Sequence, residues 1–399
     1  MKKILVISPT FPLPLDIGSK IRIYYFLEWL SHGNQVDMAS LSIDPLDRDR
    51  VDELKNLCDE VVITEIKNRK YIPFIQTLLT RDPYRVHKFR SQDFYHKVVH
   101  LLEKKDYDII WCNFLNMLFY LEPRFVQNSH VILDMHNEDE LVWKMYGENS
   151  ALFLKKLFAQ KNIANIRRFR LMKQRLFDLV LSVSERDRQF TQSWLSEDVA
   201  LEVVNNGVDI DYYRGTKDQA EGSSAKNILF CGSMDIAMNQ EAVKKFVSRV
   251  FPRVKKDIEG AKFWIVGRYP PRSILKLSND SIAVTGNVND VRPYYAKAAV
   301  AVAPFEFGGG TKLKILEALA SKVPMVSTSL GAQGLDVRDG EHLIIRDDWN
   351  SFGDALVMLF KDENLRKKLA ANGYSLIEKN YSWEAIMEDF QKRHPDFFS

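Results

Sequence analysis

Short apolar runs alternate with longer stretches of helical periodicity from the first residues of the chain onward. The runs are 3–8, 36–41, 60–66, 108–112, 131–134 and 179–183 in the first half, and 228–231, 262–266, 282–285, 300–303 and 325–327 in the second. Each has the length of a buried strand and is followed by a loop or a helical pattern. The alternation predicts the α/β fold class, with parallel sheets built from successive βα units.

The alternation is interrupted between residues 205 and 225, where the chain is polar and has little to bury. We interpret this stretch as the junction between two Rossmann-like domains, an N-terminal one spanning 1–205 and a C-terminal one spanning 206–382. The amphipathic segment 383–399 is expected to pack back onto the first domain. Because open α/β sheets bind ligands beyond the carboxyl ends of their strands, the two domains are expected to face each other across a ligand-binding cleft.

Charge and cysteine content narrow the class of protein. The 56 basic and 53 acidic residues leave a formal net charge of only +3, which does not favour a nucleic-acid partner. The three cysteines, Cys58, Cys112 and Cys231, are odd in number and widely spaced, as expected in a reducing compartment. No window reaches the roughly 18 apolar residues of a membrane span, and the apolar run at the amino terminus is too short for a signal peptide. We therefore expect a cytoplasmic protein.

The most informative segment joins the run at 300–303 to a helix expected to begin at Thr311. It contains three consecutive glycines, Gly308, Gly309 and Gly310, and its spacing is not that of a P-loop. Bare backbone N–H groups at a helix amino terminus suit phosphate oxygens. A glycine turn that merely caps an amphipathic helix is the alternative.

The helix after these glycines carries a lysine and a carboxylate on one face. Lys314 and Glu317 are three residues apart and are therefore neighbours on a helix, whereas Lys312 is rotated away from Lys314. A lysine that faces phosphates and a carboxylate one turn further along, which can accept two ribose hydroxyls, suit a nucleoside diphosphate.

Two segments of the first domain carry further candidate groups. His136 follows the run at 131–134, and an imidazole at the carboxyl end of a parallel strand is expected to point into the cleft. There it can accept a proton or bind a hydroxyl near neutral pH, and a solvated loop histidine is the alternative. Gly18 opens the first helix, and Lys20 or Arg22 is placed to reach an anion. A plain βα loop is the alternative for this second segment.

Taken in order, these segments resemble the retaining family 4 glycosyltransferases, the glycosyl transferases group 1, of GT-B fold. The likeness runs through nearly the whole chain, is weak between about 44 and 104, and is strongest from 206 to 335. The motifs that carry it are residues 206–209, 230–234, 284–291, 308–318 and 324–335. The pattern is most similar to sugar transferases of bacterial polysaccharide and glycan assembly.

The resemblance implies a function for each domain. The second domain is expected to bind a nucleotide-diphosphate sugar, and the first to present an acceptor hydroxyl for transfer with retained configuration. Glu317 corresponds to the carboxylate that holds the ribose, and His136 to the histidine that contacts the transferred sugar. On this carry-over, Gly232 lies beside the phosphates, Val288 lies beside the base, and Gly309, Gly310 and Thr311 match the loop around the sugar and diphosphate. Gly18 matches the glycine loop of the first domain. The donor-binding set also includes Ser233, Arg268 and Gly308. No metal or other cofactor is implied.

Two departures from the family pattern qualify this reading. The usual motif has two glutamates separated by seven residues, and the first of them falls on Gly309 here. Many members also carry an Arg and a Lys after the strand that precedes Gly232, and this chain lacks both. Because a leaving diphosphate needs cationic or N–H stabilisation, we predict that Lys314, together with Lys312 and Arg22, supplies it. Two alternatives stay open. One is a binding-only subunit, which the two departures support best, and the other is a UDP-sugar 2-epimerase of the same fold.

The stretch 151–177 is basic and amphipathic. It has no acidic residue and eight basic ones, interleaved with apolar side chains. Such a helix predicts contact with anionic lipid, at about 1 kcal/mol for each basic residue near the surface. A helix that packs on the first domain and leaves a solvated basic face is the alternative. The expected partners are therefore a nucleotide-sugar donor, a glycan or lipid-linked acceptor, and an anionic membrane surface that would hold the protein peripherally.

Overall fold

The computed structural model describes residues 1–43, 45–67, 71–148, 150, 152–216, 226–308 and 312–395. The chain divides into two compact units. The first is Met1–Asn205 together with Met387–Ser399, and the second is Asn206–Ile386. Each unit contains a parallel sheet and its own hydrophobic core, so the predicted α/β class with two Rossmann-like sheets is confirmed.

In the described part of the first unit, seven parallel strands form one sheet in the order β3-β2-β1-β4-β5-β6-β7. They are β1 (Lys3–Ser8), β2 (Gln35–Ser42), β3 (Glu60–Glu65), β4 (Ile109–Asn113), β5 (His130–Met135), β6 (Leu179–Ser182) and β7 (Ala200–Val203). The central strands are buried along their length, as expected for a sheet that is covered on both faces. The strand order reverses between β1 and β4, which is where sheets of this kind bind ligands.

Helices connect these strands. They are α1 (Gly18–Ser31), α2 (Arg48–Lys55), α3 (Ile72–Leu79), α4 (Tyr84–Lys88), α5 (Gln92–Lys104), α6 (Pro123–Val126), α7 (Asp139–Glu148), α8 (Phe153–Lys173) and α9 (Glu185–Gln192), with 3-10 turns at Leu115–Tyr120 and Gln174–Leu176. Among the residues that the structure describes, no helix combines the length and the apolar character needed to cross a membrane.

The second unit repeats the arrangement with six parallel strands among its described residues, in the order β10-β9-β8-β11-β12-β13. They are β8 (Asn227–Cys231), β9 (Lys262–Val266), β10 (Ile282–Gly286), β11 (Val300–Ala303), β12 (Met325–Ser327) and β13 (Ile344–Ile345). The helices of this unit are α10 (Ile210–Tyr213), α11 (Ala237–Lys245), α12 (Phe251–Asp257), α13 (Arg272–Leu275), α14 (Arg292–Lys297), α15 (Leu313–Ala320), α16 (Trp349–Lys361) and α17 (Glu363–Asn380), with a π-helix at Phe246–Val250 between α11 and α12. The last helix, α18 (Trp383–Arg393), begins in this unit and ends in the first. In the second sheet the strand order reverses between β8 and β11.

The sequence pattern missed the last strand of each sheet. β7 and β13 are edge strands, and β7 is exposed or half-buried at every position. Since β7 lacks a run of buried residues and β13 is only two residues long, hydrophobic patterning does not reveal either strand.

The carboxyl-terminal part of α18 packs on the first unit. The fully buried ring of Phe390 meets the rings of Trp29 and Trp111 at centroid distances of 6.0 and 6.1 Å. Arg393 and His394 both contact the carboxylate of Glu202. Aromatic burial and these polar contacts tie the chain after Met387 to the sheet of the first unit.

Candidate functional site

Lys314 lies where the strand order of the second sheet reverses. Its ammonium sits over the rings of Phe230, in β8, and Phe305, just after β11, at 4.5 and 4.6 Å from their centroids. Nζ donates to Oδ1 of Asn239, on α11, at 2.7 Å. The side chain is partly exposed rather than sealed in the core. Lys314 therefore occupies the crevice beyond the carboxyl ends of β8 and β11, the usual ligand position in this architecture.

The surroundings of Lys314 make its charge responsive to a ligand. Burial lowers the pKa of the ammonium to about 7, and nearby Lys312 lowers it as well, whereas Cys231 and Glu317 act in the opposite direction. A low-dielectric environment disfavours the charged form, and an anion placed beside it restores that form. The site thus holds a cation that gains charge when an anionic group binds.

The turn at Gly232 and Ser233 lies beside Lys314 and brings a second cation to the same place. A Cβ on Gly232 would lie 2.8 Å from Lys314 Nζ, so glycine is what lets the ammonium approach this backbone. Asn239 Nδ2 donates to the carbonyl of Ser233 at 2.7 Å, and Arg268 Nε donates to Ser233 Oγ at 3.3 Å. Where the sequence lacks an Arg and a Lys after β8, the fold supplies two cations from other elements.

Glu317 lies one turn along α15 from Lys314, as the spacing predicts. Its Oε2 accepts a hydrogen bond from the hydroxyl of Tyr295 at 3.0 Å. Burial raises the pKa of the carboxyl group, and the Tyr295 hydroxyl and the Lys314 charge oppose that shift. The residue as a whole is half-buried.

The glycine segment differs from the prediction at the helix start. α15 begins at Leu313 and not at Thr311, because Lys312 has an extended backbone and occupies the capping position. Lys312 is buried, with Nζ 5.5 Å from the Phe305 ring centroid. Gly308 has φ +116°, and a Cβ there would lie 1.9 Å from Met238 Sδ, which explains the need for glycine. Gly309, Gly310 and Thr311 lie outside the described residues.

Val288 follows β10 and lines an open hollow of about 390 Å³. The other lining residues are Trp264, Asn289, Asp290, Pro293, Tyr294 and Lys297. The loops after β9 and β10 are joined, since Tyr269 N donates to Asn287 Oδ1 at 3.1 Å. A hollow lined by aromatic side chains and a few polar groups has the character of a small-molecule site.

In the first unit, His136 follows β5 by one residue but is only 5% exposed. Its ring stacks on Phe114 at a centroid distance of 4.1 Å. Nε2 lies 3.0 Å from Oδ1 of Asn113, whose amide nitrogen donates to the carbonyl of Ile7. Because Oδ1 can only accept, Nε2 carries the proton, and Nδ1 presents a lone pair that has no partner among the described residues.

The environment of His136 corrects its predicted behaviour. Burial lowers the pKa of the imidazole to about 3; Asp134 opposes this shift, and Arg22 and Arg85 add to it. The ring is therefore neutral at physiological pH and does not take up a proton there. Of the two predicted uses, proton acceptance and hydroxyl binding, only the second suits a buried neutral imidazole.

Arg22 is a clear correction. The side chain is fully buried, and Nε and Nη2 donate to Oδ1 of Asp134 at 3.0 and 2.8 Å. Nη1 donates to the carbonyls of Val204 and Asn205. The guanidinium is thus engaged inside the first unit, and the prediction that it reaches the diphosphate is wrong.

The other two candidates near the start of α1 are Lys20 and Gly18. Lys20 is buried, and its Nζ lies 3.2 Å from Oδ1 of Asp16. Gly18 begins α1 after the extended residue Ile17, without a side-chain cap.

Sequence reasoning missed the amide partners of both centres, Asn239 and Asn113. Asn113 ends β4, and Asn239 lies in the first turn of α11, so both stand at the ligand edge of a parallel sheet. Their position next to predicted strand ends was the feature of the sequence that could have identified them. Phe230 and Phe305 were missed because apolar residues at strand ends are indistinguishable from core residues in the sequence.

The model of the family described as glycosyl transferases group 1 matches residues 225–362, which make up most of the second unit. Together with the relatives and solved structures given below, this match identifies the chain as a glycosyltransferase. This glycosyltransferase is 23% identical to an uncharacterized 44.6 kDa protein in the cps region of Klebsiella pneumoniae, over 99% of this chain and 100% of that protein.

Two further relatives align over part of their length. The phosphatidyl-myo-inositol mannosyltransferase of Mycobacterium leprae is 27% identical, over 53% of this glycosyltransferase and 57% of that protein. The lipopolysaccharide core biosynthesis glycosyltransferase LpsE of Rhizobium meliloti is 31% identical, over 33% of this glycosyltransferase and 41% of that protein.

Solved structures establish the fold of the glycosyltransferase. Sucrose-phosphate synthase of Thermosynechococcus elongatus superposes with a TM-score of 0.70 at 18% identity, over 100% of this chain and 99% of that one. Anabaena HepE, solved in complex with UDP and glucose, superposes with a TM-score of 0.68 at 14% identity, over 99% of this chain and 100% of that one. The fold is GT-B, as the resemblance implied.

Proposed function

We propose that this glycosyltransferase moves a sugar from a nucleoside diphosphate sugar to a hydroxyl of a glycan or lipid-linked acceptor in polysaccharide or glycoconjugate biosynthesis, with retained anomeric configuration. The observation that carries the proposal is the pair of cations, Lys314 and Arg268, that flanks the Gly232–Ser233 turn. Support also comes from the relatives named as acting on phosphatidyl-myo-inositol and in lipopolysaccharide core biosynthesis, and from HepE, which was solved with UDP and glucose.

On the donor side, each group has a distinct task. Negative charge grows on the diphosphate as its bond to the anomeric carbon breaks, and preorganised cations stabilise that charge without reorganising. Lys314 and Arg268 do so in place of the missing Arg and Lys, and we propose that no metal is required. Glu317, held by Tyr295, accepts hydrogen bonds from the ribose hydroxyls. The hollow beside Val288 receives the base.

In the first unit, we propose that His136 binds a sugar hydroxyl. Its Nδ1 lone pair has no partner in the part of the chain that the structure describes, and its neutrality means that it orients the substrate rather than acting as a titrating base. The acceptor proton then passes to the departing phosphate, and the protein contributes positioning and charge stabilisation.

We propose a cytoplasmic enzyme that associates peripherally with a membrane. Part of the basic face that the sequence predicts for the carboxyl-terminal half of α8 is engaged within the first unit. Arg170 is buried and pairs with Glu138 and Glu140, and Arg167 pairs with Glu140 as well. In contrast, Lys155 and Lys156, near the amino terminus of α8, are exposed.

A panel of UDP-, GDP-, ADP- and dTDP-sugars tests the proposed donor site by thermal shift. A ligand at about 100 times its Kd stabilises the protein by about 2.7 kcal/mol, which raises Tm by about 5–10 °C for a unit of this size. We expect one nucleotide to stand out, and slow release of free sugar from that donor without acceptor. No shift with any of the four would refute the donor site, and a shift without sugar release would favour a binding-only subunit.

A further inference from the structure

Helix α3 is packed with its apolar side outward. The helix buries Pro73 and Thr77, and Thr77 Oγ1 donates to the carbonyl of Pro73. Its aliphatic side chains Ile75 and Leu79 are instead 56% and 80% exposed. A surface helix of a soluble domain normally buries its apolar stripe. Since α3 contains no charged residue, it presents an uninterrupted apolar face.

The first turns of α8 extend this apolar face. Phe153 and Leu154 are 71% and 78% exposed. The two helices run side by side in the same direction, because Phe74 meets Phe158 at a ring distance of 4.7 Å and Asn165 Nδ2 donates to the carbonyl of Thr77 at 3.1 Å. We define the α3–α8 face by its nine exposed apolar residues among those described: Tyr71, Ile72, Ile75, Leu78, Leu79, Leu152, Phe153, Leu154 and Leu157.

Rigid packing beneath the α3–α8 face holds it in place. Phe74 lies 4.7 Å from the ring of Tyr84, and Trp143 makes edge contacts with Tyr84 and Phe158 at 5.4 and 5.5 Å. An aromatic layer from four helices therefore supports the exposed aliphatic residues. The aliphatic residues are therefore exposed on a helix that is well packed underneath, and not on a helix displaced from the core.

Positive charge accompanies the apolar residues. Lys155 and Lys156 are exposed and make no ion pair among the described residues, and Arg81 lies just beyond the end of α3. Neither α3 nor α8 contains an acidic residue. Apolar side chains flanked by unpaired cations complement an anionic bilayer, whose headgroups attract the cations while its acyl region accepts the apolar groups.

We propose that the α3–α8 face inserts into the surface of an anionic lipid bilayer, with α3 supplying the apolar contact and the amino-terminal turns of α8 supplying the charge. A second copy of the chain is a poorer occupant, because a two-fold contact through this face would bring like-charged lysines together. This face would supply the peripheral membrane association proposed above, so the inference rests on the proposed function and names the surface that carries it. A protein held in this way meets acceptors carried on lipids.

Co-sedimentation of the full chain with vesicles tests the face. We compare phosphatidylcholine vesicles with vesicles in which about a third of the lipid is phosphatidylglycerol. The apolar variant is Ile75→Gln with Leu79→Gln, and its matched control is Leu171→Gln with Met172→Gln, two exposed residues at the far end of α8. The charge variant is Lys155→Gln with Lys156→Gln, and its control is the exposed pair Lys255→Gln with Lys256→Gln on α12.

We expect the unmodified chain to favour the anionic vesicles. The charge variant should bind them about 30-fold more weakly and the apolar variant at least about tenfold more weakly, while both controls bind as the unmodified chain does. Equal binding to both kinds of vesicle, or unchanged binding by both face variants, would overturn the proposal. So would a dimer of the unmodified chain that the apolar variant converts to a monomer, since a second copy would then cover the face.

The same protein samples separate this proposal from the proposed function. The thermal shift with the preferred nucleotide-sugar should persist in both face variants, because neither changes the second unit. Lost vesicle binding with an intact donor shift supports the face as a lipid contact. An absent donor shift in the unmodified chain would refute the donor site and leave the vesicle result standing.

Discussion

The two sheets reverse their strand order in the same way, yet they use the charged residues at those points differently. In the first unit, Arg22 and Asp134 are fully buried and paired with each other, and His136 is neutral beneath Phe114. In the second unit, Lys314 and Glu317 are partly exposed, and Lys314 lacks a directly bonded carboxylate among the described residues. In the first unit the charged residues pair with each other and stabilise the fold. In the second unit a cation is left available to an anionic ligand.

This contrast teaches that motif position alone does not assign a role. Both Arg22 and Lys314 lie in the first two turns of a helix near the carboxyl edge of a parallel sheet, and both were predicted to face the diphosphate. Their partners separate them: a buried carboxylate neutralises Arg22, whereas a neutral amide contacts Lys314. An ammonium paired with an amide keeps its capacity to bind an anion.

The largest effect is expected from Arg22→Met, which leaves the Asp134 carboxylate buried without its partner. We expect the free energy of unfolding to fall by about 3–5 kcal/mol, because an uncompensated buried charge is strongly destabilising. Urea denaturation measures it, with the exposed Arg50→Met as the control. A variant that keeps its stability but loses donor binding would show that Arg22 is a ligand group after all.

Lys314→Ala tests the role of the cation in the second unit. Turnover should fall by about 10²–10³-fold with the fold retained, since a preorganised group that stabilises the developing charge is removed. Initial rates with the donor identified by thermal shift measure this loss. The exposed Lys255→Ala should match the unmodified enzyme, and unimpaired turnover by Lys314→Ala would disprove the assignment.

His136→Ala should lower turnover by about 10²-fold, because a hydrogen bond that orients the sugar is lost. Since burial lowers the pKa of His136 to about 3, its protonation should not appear in the pH–rate profile between about pH 5 and 8. An acid limb near pH 6.5 in the unmodified enzyme that disappears in His136→Asn would contradict the neutral imidazole.

Asn239→Ala is expected to have the smallest effect, about tenfold, mostly in KM. The substitution removes the hydrogen-bond acceptor of Lys314 and one support of the Ser233 turn, while the ammonium itself is retained. Steady-state kinetics at pH 6 and pH 8 measure it: the loss should be larger at pH 8, where the less well stabilised ammonium is more often neutral. A loss confined to kcat and equal at both pH values would argue against a positioning role.

Much of the fold could be predicted from hydrophobic pattern alone. The bounds of β1, β9, β11 and β12 agree with the predicted runs, since buried parallel strands are short and apolar throughout. The shared face of Lys314 and Glu317 follows equally directly from helical spacing.

What could not be predicted depends on contacts between distant parts of the chain. Arg22 and Asp134 are separated by 112 residues, and no local sequence pattern predicts that they pair. The outward apolar side of α3 is a second example. Its sequence is that of a buried helix, and only the packing of Pro73 and Thr77 against their neighbours shows that the aliphatic side is uncovered.

The most direct test of the central claim is the number of protons taken up when the donor nucleotide-sugar binds. Because burial lowers the pKa of Lys314 to about 7, roughly half of the free protein carries a neutral amine at that pH, and a bound diphosphate should return it to the charged form. Calorimetry in buffers of different ionisation enthalpy should show uptake of about half a proton at pH 7, approaching one near pH 8.5, and none in Lys314→Ala. Zero uptake across this range, or the same uptake in Lys314→Ala, would contradict Lys314 as the diphosphate-binding cation.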